Sequence, residues 1–537
     1  MAKRIVFVDV RNKLDNENEL SSHLVESDLI VPLTPYSCYL MDKIEYPFKL
    51  FSELICNKDF RNEVLADYRH LENVFLKNNL ESYLFLLKEF AKYITFDRYI
   101  RIVQSYINKS ESVYISNFNS REEFGTNAPL SDFLSFCSEV KLSVDGQTYK
   151  RNKFKLLISE FKSKSFLELV EKIRKKLANE SFYVYDNTLN VRDYKKIAIS
   201  TKARIEHAEF LKLLPDIIGS IKLNTRVENI LHKEILDFLS YRKSMPHYIP
   251  FMFLNGTSMC SRFLIYKDNK IPTIFFQHGS YVHENYFLKY NEVLPADINF
   301  VFNEYTKKAF EDIGAKEVHV VGTKNYNKPL RKRSYKFDFV YITYCTAYNY
   351  SGFYVGSEYN LVSPVAENIF KRHKEVIDLF GLRFPDKKIC IKVQPGILTG
   401  QMLYIPLIEY SERYGNVTIV FDEPLHVLIE KSRNIISDYY SSEFSNKNIL
   451  IEKNIILLTD IITLPNMQVV EELKNIMFLV HDFCEIDKTI EKVESSFRDE
   501  ISNKSQEVIN KYSSKDLNTK LIVRNIINKK LEKEYTC

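Results

Sequence analysis

A chain of 537 residues with 45% apolar content is too long for one hydrophobic core and carries enough apolar side chains for two or three domains. Its 75 basic and 70 acidic residues nearly cancel, which argues against the strongly basic field of a nucleic-acid-binding protein. The eight cysteines are scattered with no CxxC, which suits reduced thiols rather than a disulfide or zinc framework.

No apolar stretch reaches the ~18 residues of a spanning helix, and the opening MAKRIVFVDVRNKLD has too short an apolar run for a signal peptide. The expected location is the cytoplasm. Basic runs at 172–176, 328–333 and near the end read first as solvated faces. They would also suit peripheral contact with anionic lipid on the inner face of the plasma membrane.

Residues 4–10, RIVFVDV, read as a buried strand with Asp9 near its carboxyl end, where ligands collect in open α/β sheets. From about 50 to 180 the pattern is helical: Leu80, Tyr83, Leu84, Leu87 and Tyr93-Ile94 recur at three- and four-residue spacings. A further helix is expected from Ser165, with Glu168 as its capping-box partner. Together these predict a helical insertion. From about 181 short apolar runs alternate with helices: FYVY, KIAIS, LKLLPDIIGSIKL, VENILHKEILDFLSY, YIPFMFLNGTS, RFLIY, IPTIFF, TKKAFEDIG and VHVVG, ending at Gly322. That order predicts a parallel sheet with helices on both faces.

A charged, proline-containing linker near 323–336 precedes a second series. It comprises FDFVYITY, a polar loop CTAYNYSGFYVGSEYN, a helix through ENIFKRHKEVIDLF, and then KICIKVQPG, VTIVF, DEPLHVLIEKS and NIISDYYSSEF. The fold class is therefore α/β, two doubly wound halves, with boundaries at 1–330, 331–490 and a helical tail over 491–537 striped by Leu521, Ile522, Ile526 and Ile527.

Polar clusters that end strands are the candidate chemistry: LNGTS at 254–258, QHG at 277–279, TYCTAYN at 343–349, KVQPG at 392–396 and SDYYSSE at 437–443. His278 follows six apolar residues and precedes Gly279, which lets the backbone turn, and a pKa near ~6.5 suits it to proton acceptance. His283 and Glu284, somewhat further on, could orient His278 or simply pack. Ser441 and Ser442 follow a strand and open a helix, where hydroxyls and free amides can hold a phosphate or merely cap. Lys392 and Gln394 add one charge and one amide at a neighbouring strand end. The sequence lacks GxGxxG, GxxxxGK[ST], HExxH, GxSxG and a convincing DxD, so protein groups rather than a metal are expected to neutralise any nucleotide phosphate.

The succession IPTIFFQHG, PADINFVFNEYTKKAFEDIGAKEVHVVGT, FVYITY, IKVQP and VTIVFDEPLHVLIEKSRNIISDYYSSEF resembles the GT-B glycosyltransferase superfamily. Within it the chain is similar to bacterial surface-polysaccharide enzymes (capsule, lipopolysaccharide, teichoic acid): CMP-sugar transferases of the Kdo and sialic acid type, and CDP-glycerol or CDP-ribitol phosphotransferases. The likeness covers about 250–450 and is most specific at SRNIISDYYSS. It implies two Rossmann-like domains facing one cleft and a metal-independent, inverting transfer from a CMP-, CDP- or UDP-linked sugar to a glycan or lipid-linked glycan. It implies His278 as general base or phosphate-contacting residue, and the acceptor would then enter on the first-domain side, near the second catalytic candidate Asp9 and near Asn255, Thr257, Gln277, Gly279, His283 and Glu284. Lys392, Gln394, Pro395, Thr346, Glu423, Leu425, Ser441 and Ser442 would lie on the donor side. One departure is Gln394 where the family has histidine, which shifts leaving-group stabilisation to Lys392, the serines and helix amides. Alternatives are polyol-phosphate transfer, a UDP-sugar 2-epimerase and a non-catalytic scaffold of the same architecture.

Overall fold

The computed structural model describes, with short breaks, residues 4–9, 28–49, 58–101, 112–117, 140–143, 208–240, 252–254, 273–277, 293–343, 365–393, 405–459, 467–495 and 503–529. The expected helix at Ser165, the runs FYVY, KIAIS and RFLIY, and the loop after FVYITY lie outside them.

The first half opens with β1 (Arg4–Asp9), β2 (Asp28–Pro32), helix α1 (Pro35–Lys43) and helix α2 (Lys58–Lys77). Next come β3 (Ser112–Asn117), β4 (Val140–Ser143), α3 (Ala208–Gly219) and α4 (Thr225–Ser240). The first sheet is wholly parallel, in the order β2-β1-β3-β4. Helix α2 and the short helix Glu81–Leu86 bear out the helical reading there, with Leu80, Leu84, Leu87, Tyr93 and Ile94 buried. The expected insertion is not helical throughout, however, because β3 and β4 fall inside it. SVYISN and VKLS are too short to show a period of their own, and pairing with β1 makes them strands.

A second parallel sheet, β5-β6-β7-β8, is built from Met252–Leu254, Thr273–Phe276, Ile298–Val301 and Val318–Val320, with α5 (Glu304–Asp312) between its last two strands. Asn303 caps α5 by accepting from Thr306 N at 2.9 Å.

The second half contains β9 (Phe337–Ile342), α6 (Val365–Asp378, continued by a π turn Leu379–Arg383), β10 (Ile389–Lys392), α7 (Ile405–Ser411) and β11 (Val417–Val420). It goes on with α8 (Leu425–Lys431), β12 (Ser432–Ser437), α9 (Lys447–Glu452) and β13 (Asn454–Leu458), then α10 (Met467–Leu473), β14 (Phe478–Val480), α11 (Ile486–Ser495) and α12 (Asn503–Tyr512). The six strands are all parallel in the order β11-β10-β9-β12-β13-β14. This is the doubly wound arrangement in which strand order reverses between the first and fourth strands, here β9 and β12. Both faces of β9 are covered. Phe339 and Tyr341 enter the cluster under α6, while Val340 and Ile342 enter the one under α8 and α12, so the strand reads as a continuous apolar run.

The two halves are interlocked at their ends. Helix α1 lies in one core cluster with strands β9, β10 and β12, held by a Lys374–Asp42 ion pair at 2.7 Å and a hydrogen bond from Tyr39 Oη to Glu409. In return, α12 packs on the second half through Val508, Ile509 and Tyr512, and the chain then returns to the sheet of β6–β8 through Val523 and Ile527. The expected stripe holds at Ile522, Ile526 and Ile527, but Leu521 is 53% exposed and points away. Among the described residues no helix is long and apolar enough to cross a membrane.

Candidate functional site

Strand alternation decides which side chains meet at the β9/β12 fork. Thr343 shares the face of Tyr341, and Asp438 shares that of Ile436, so all three rise beneath α6. From α6 comes His373, three and four residues ahead of Val376 and Ile377 and so on the buried side of the helix. The result is a continuous buried network. Tyr341 Oη lies 2.8 Å and Thr343 Oγ1 3.0 Å from Asp438 Oδ2, and His373 Nε2 lies 2.6 Å from Thr343 Oγ1.

Proton positions follow from what each group can do. An ionised carboxylate only accepts, so both hydroxyls donate to Asp438, and Thr343 Oγ1 must then accept from an Nε2–H of His373. Burial pushes the imidazole down to about 3, so His373 is neutral near pH 7, in that tautomer. Burial, reinforced by the Asp438 charge, drives the Tyr341 phenol well above its ordinary value, so it remains a donor. The Arg372 guanidinium lies 4.1 Å over the Phe483 ring and pairs with Glu375 at 3.3 Å.

On the opposite face, Ser437 Oγ donates to Tyr439 O at 2.7 Å, shaping the turn out of β12. Ser441 then caps a single 3-10 turn, Ser442–Ser445, its hydroxyl accepting from Glu443 N at 3.3 Å. The helix expected at the serines is thus a 3-10 turn followed by the short α9, which Asn446 caps. Ser441 is buried in its capping role and Ser442 is half-buried. Burial of the Glu443 carboxyl raises its pKa.

Lys392 ends β10, 8% exposed, with its ammonium donating to Phe421 O at the end of β11. It therefore brings a held positive charge to the carboxyl edge of the sheet. Glu423 is ion-paired with Lys431, and Leu425, the first residue of α8, packs partly into the core, so both serve the local structure of this connection. In the first half, Asp9 ends β1 in register with Asn117, at the carboxyl edge as expected. Gln277 is buried, with Oε1 accepting from Phe302 N at 2.6 Å, which latches the end of β6 to the end of β7. His278, Gly279, His283, Glu284, Asn255, Thr257, Thr346, Gln394 and Pro395 lie outside the described residues.

No protein-family model matches the sequence, and no curated protein matches it. Solved structures are similar at low identity. MnaA of S. aureus in a co-structure with UDP has a TM-score of 0.36 at 12% identity, covering 74% of this chain and 90% of that one. S. aureus TarM in complex with fondaparinux, alpha-GlcNAc-glycerol and UDP has a TM-score of 0.33 at 14% identity, over 52% and 54%. UDP-GlcNAc 2-epimerase from Neisseria meningitidis bound to UDP-GlcNAc has a TM-score of 0.29 at 14% identity, over 81% and 97%. With similarity this low, the case for function rests on the chain's own residues.

Sequence reasoning passed over Tyr341, Asp438 and His373. His373 had a signal: an imidazole on the apolar stripe of ENIFKRHKEVIDLF, in line with Val376, Ile377 and Phe380. Asp438 lay inside the quoted SDYYSSE, overshadowed by its serines.

Proposed function

We propose that this chain is a GT-B-type glycosyltransferase that uses a nucleotide sugar, with the second half as its donor-binding half. The observation that carries the reading is the β9/β12 fork. A six-stranded sheet reverses its order there, and polar groups gather at the ends of β9, β10 and β12, where nucleotides bind in folds of this class. The sequence likeness at SRNIISDYYSS supports the same placement.

In this reading Lys392 and the hydroxyls and amides of the turn at 439–443 face the donor phosphate and stabilise the charge that develops as it departs. The His373–Thr343–Asp438–Tyr341 network holds the floor of that site rigid. His278 takes the proton from an acceptor hydroxyl of a surface glycan as that oxygen attacks the donor carbon, inverting it. The phosphate is neutralised by protein groups and no metal enters the step. The resemblance favours a CMP-sugar donor.

The test is thermal shift with CMP, CDP, UDP and GDP in parallel. A nucleotide at 100 times its dissociation constant adds about 2.7 kcal/mol to native stability, so the donor class would identify itself. Absence of a shift with all four would overturn the reading. Interconversion of a nucleotide sugar without any acceptor would assign an epimerase instead.

A further inference from the structure

The segment linking α12 to the last helical residues crosses between the halves at one place. Tyr512 O accepts from Asn303 Nδ2 at 2.9 Å. Ser514 N donates to Ser445 O at 2.8 Å, and Ser514 Oγ accepts from Thr323 N at 2.9 Å. Lys515 N donates to Phe302 O at 2.9 Å, and Thr519 Oγ1 donates to Val321 O at 2.8 Å. One residue, Ser514, therefore ties the last residue of the 3-10 turn in the second half to the start of the linker that leaves the first.

The strap also explains Gly322. This residue has φ of +60°, and a Cβ there would stand 2.0 Å from Lys515 O, a separation atoms do not tolerate. The strap sits directly on the bare backbone of Gly322.

The bonds beyond Lys515 complete a path. Phe302, which accepts from Lys515 N, has its own N–H held by Gln277 Oε1 at 2.6 Å. Gln277 immediately precedes His278. On the other side, Ser445 closes the turn that Ser441 caps. The chain Ser441–Ser445, Ser514, Lys515, Phe302, Gln277 is thus hydrogen-bonded from one strand-end cluster to the other.

We propose that Ser514 and Lys515 are positioning residues that set the Ser441–Ser445 turn against the Phe302–Gln277 strand ends, so that a ligand arriving at the turn is felt at the residue before His278. The proposal rests on the donor-site reading above only for the identity of that ligand. The strap itself can be examined without one.

The experiment is hydrogen exchange by mass spectrometry on the full chain, wild type and Ser514→Pro, which lacks the N–H that Ser445 O accepts, alone and with UDP or CMP in separate arms. Without nucleotide, Ser514→Pro should speed exchange in peptides covering 299–303 and 441–446 by roughly five- to tenfold, the factor one ordinary hydrogen bond sets. β10 and β11 should not change. Acceleration confined to 511–519, or uniform acceleration everywhere, would overturn the proposal, because a merely structural residue gives one of those patterns. With nucleotide, the wild type should be protected at both sites and Ser514→Pro at 441–446 only. Protection of 441–446 alone in the wild type would sink the coupling while leaving nucleotide binding intact. Protection nowhere, with either nucleotide, would count against the donor reading and leave the strap to be decided by the ligand-free arm. Should Ser514→Pro fail to fold, Lys515→Pro, which removes the N–H that Phe302 O accepts and keeps the bond from Ser514 to Ser445, gives the same comparison from the other end of the strap.

Discussion

The hydroxyl of Tyr341 donates to the carboxylate of Asp438 across 2.8 Å, joining two residues 97 apart in sequence at the fork between β9 and β12. This bond and its continuation through Thr343 place a buried, hydrogen-bonded anion beneath α6, at the point where the sheet reverses its order.

Thr343→Val should be costly for its size. The change keeps the shape but leaves the His373 Nε2–H without its acceptor and Asp438 with one donor fewer. Two weakened buried groups amount to about 2–4 kcal/mol of unfolding free energy. Urea denaturation measures it, and a loss below about 0.5 kcal/mol would mean that the relay is not closed in solution.

His373 should make the protein acid-sensitive. Its folded value is depressed to about 3 while the unfolded chain takes a proton near ~6.5, so its contribution is intact above pH 6.5 and lost as pH falls below it. At pH 5 the loss is about 2 kcal/mol from this group alone. His373→Gln, which keeps a donor for Thr343, should flatten the pH 7.5 to 5 stability profile. An equally steep profile in the variant would remove His373 as the cause.

Lys392→Met conserves length and apolar stem at the end of β10 but removes the charge. A charge-assisted hydrogen bond to phosphate contributes about 1.5–3 kcal/mol, so affinity for the nucleotide that binds should fall roughly 10- to 150-fold with the fold unchanged. Titration calorimetry reads this directly. Unaltered affinity would place the phosphate elsewhere.

His278→Ala should lower the transfer rate on a defined glycan acceptor by roughly 10²–10⁴ with little change in nucleotide affinity. The same assay should proceed in EDTA, since the proposed step draws on no metal. Full activity of His278→Ala would discard the base, and abolition by EDTA would discard the metal-free step.

Much of the second half could be read from sequence, because FDFVYI, ICIK and NIIS are buried on both faces and leave no ambiguity of period. SVYISN and VKLS were hidden because short strands become strands only through their partners. The site was half legible. Lys392 and Ser441 end strands or open turns, which leaves a local mark in the sequence. The Thr343–Asp438 and His373–Thr343 pairs join residues 95 and 30 positions apart, and only the closed sheet brings them together. Gln277 was read for its position beside His278, whereas its amide oxygen is spent on Phe302 N.

The exchange of ends between the halves bears on how the chain is made. Strands β6–β8 bury part of one face only when Val523 and Ile527 arrive, so that apolar face stays open until nearly the whole chain has left the ribosome. Conversely, α1 emerges early, yet its resting place against β9, β10 and β12 appears some three to four hundred residues later. Neither half is a finished folding unit during synthesis. Residues 331–490 expressed alone would show water the surface that α1 and α12 cover, and should aggregate where the full chain does not.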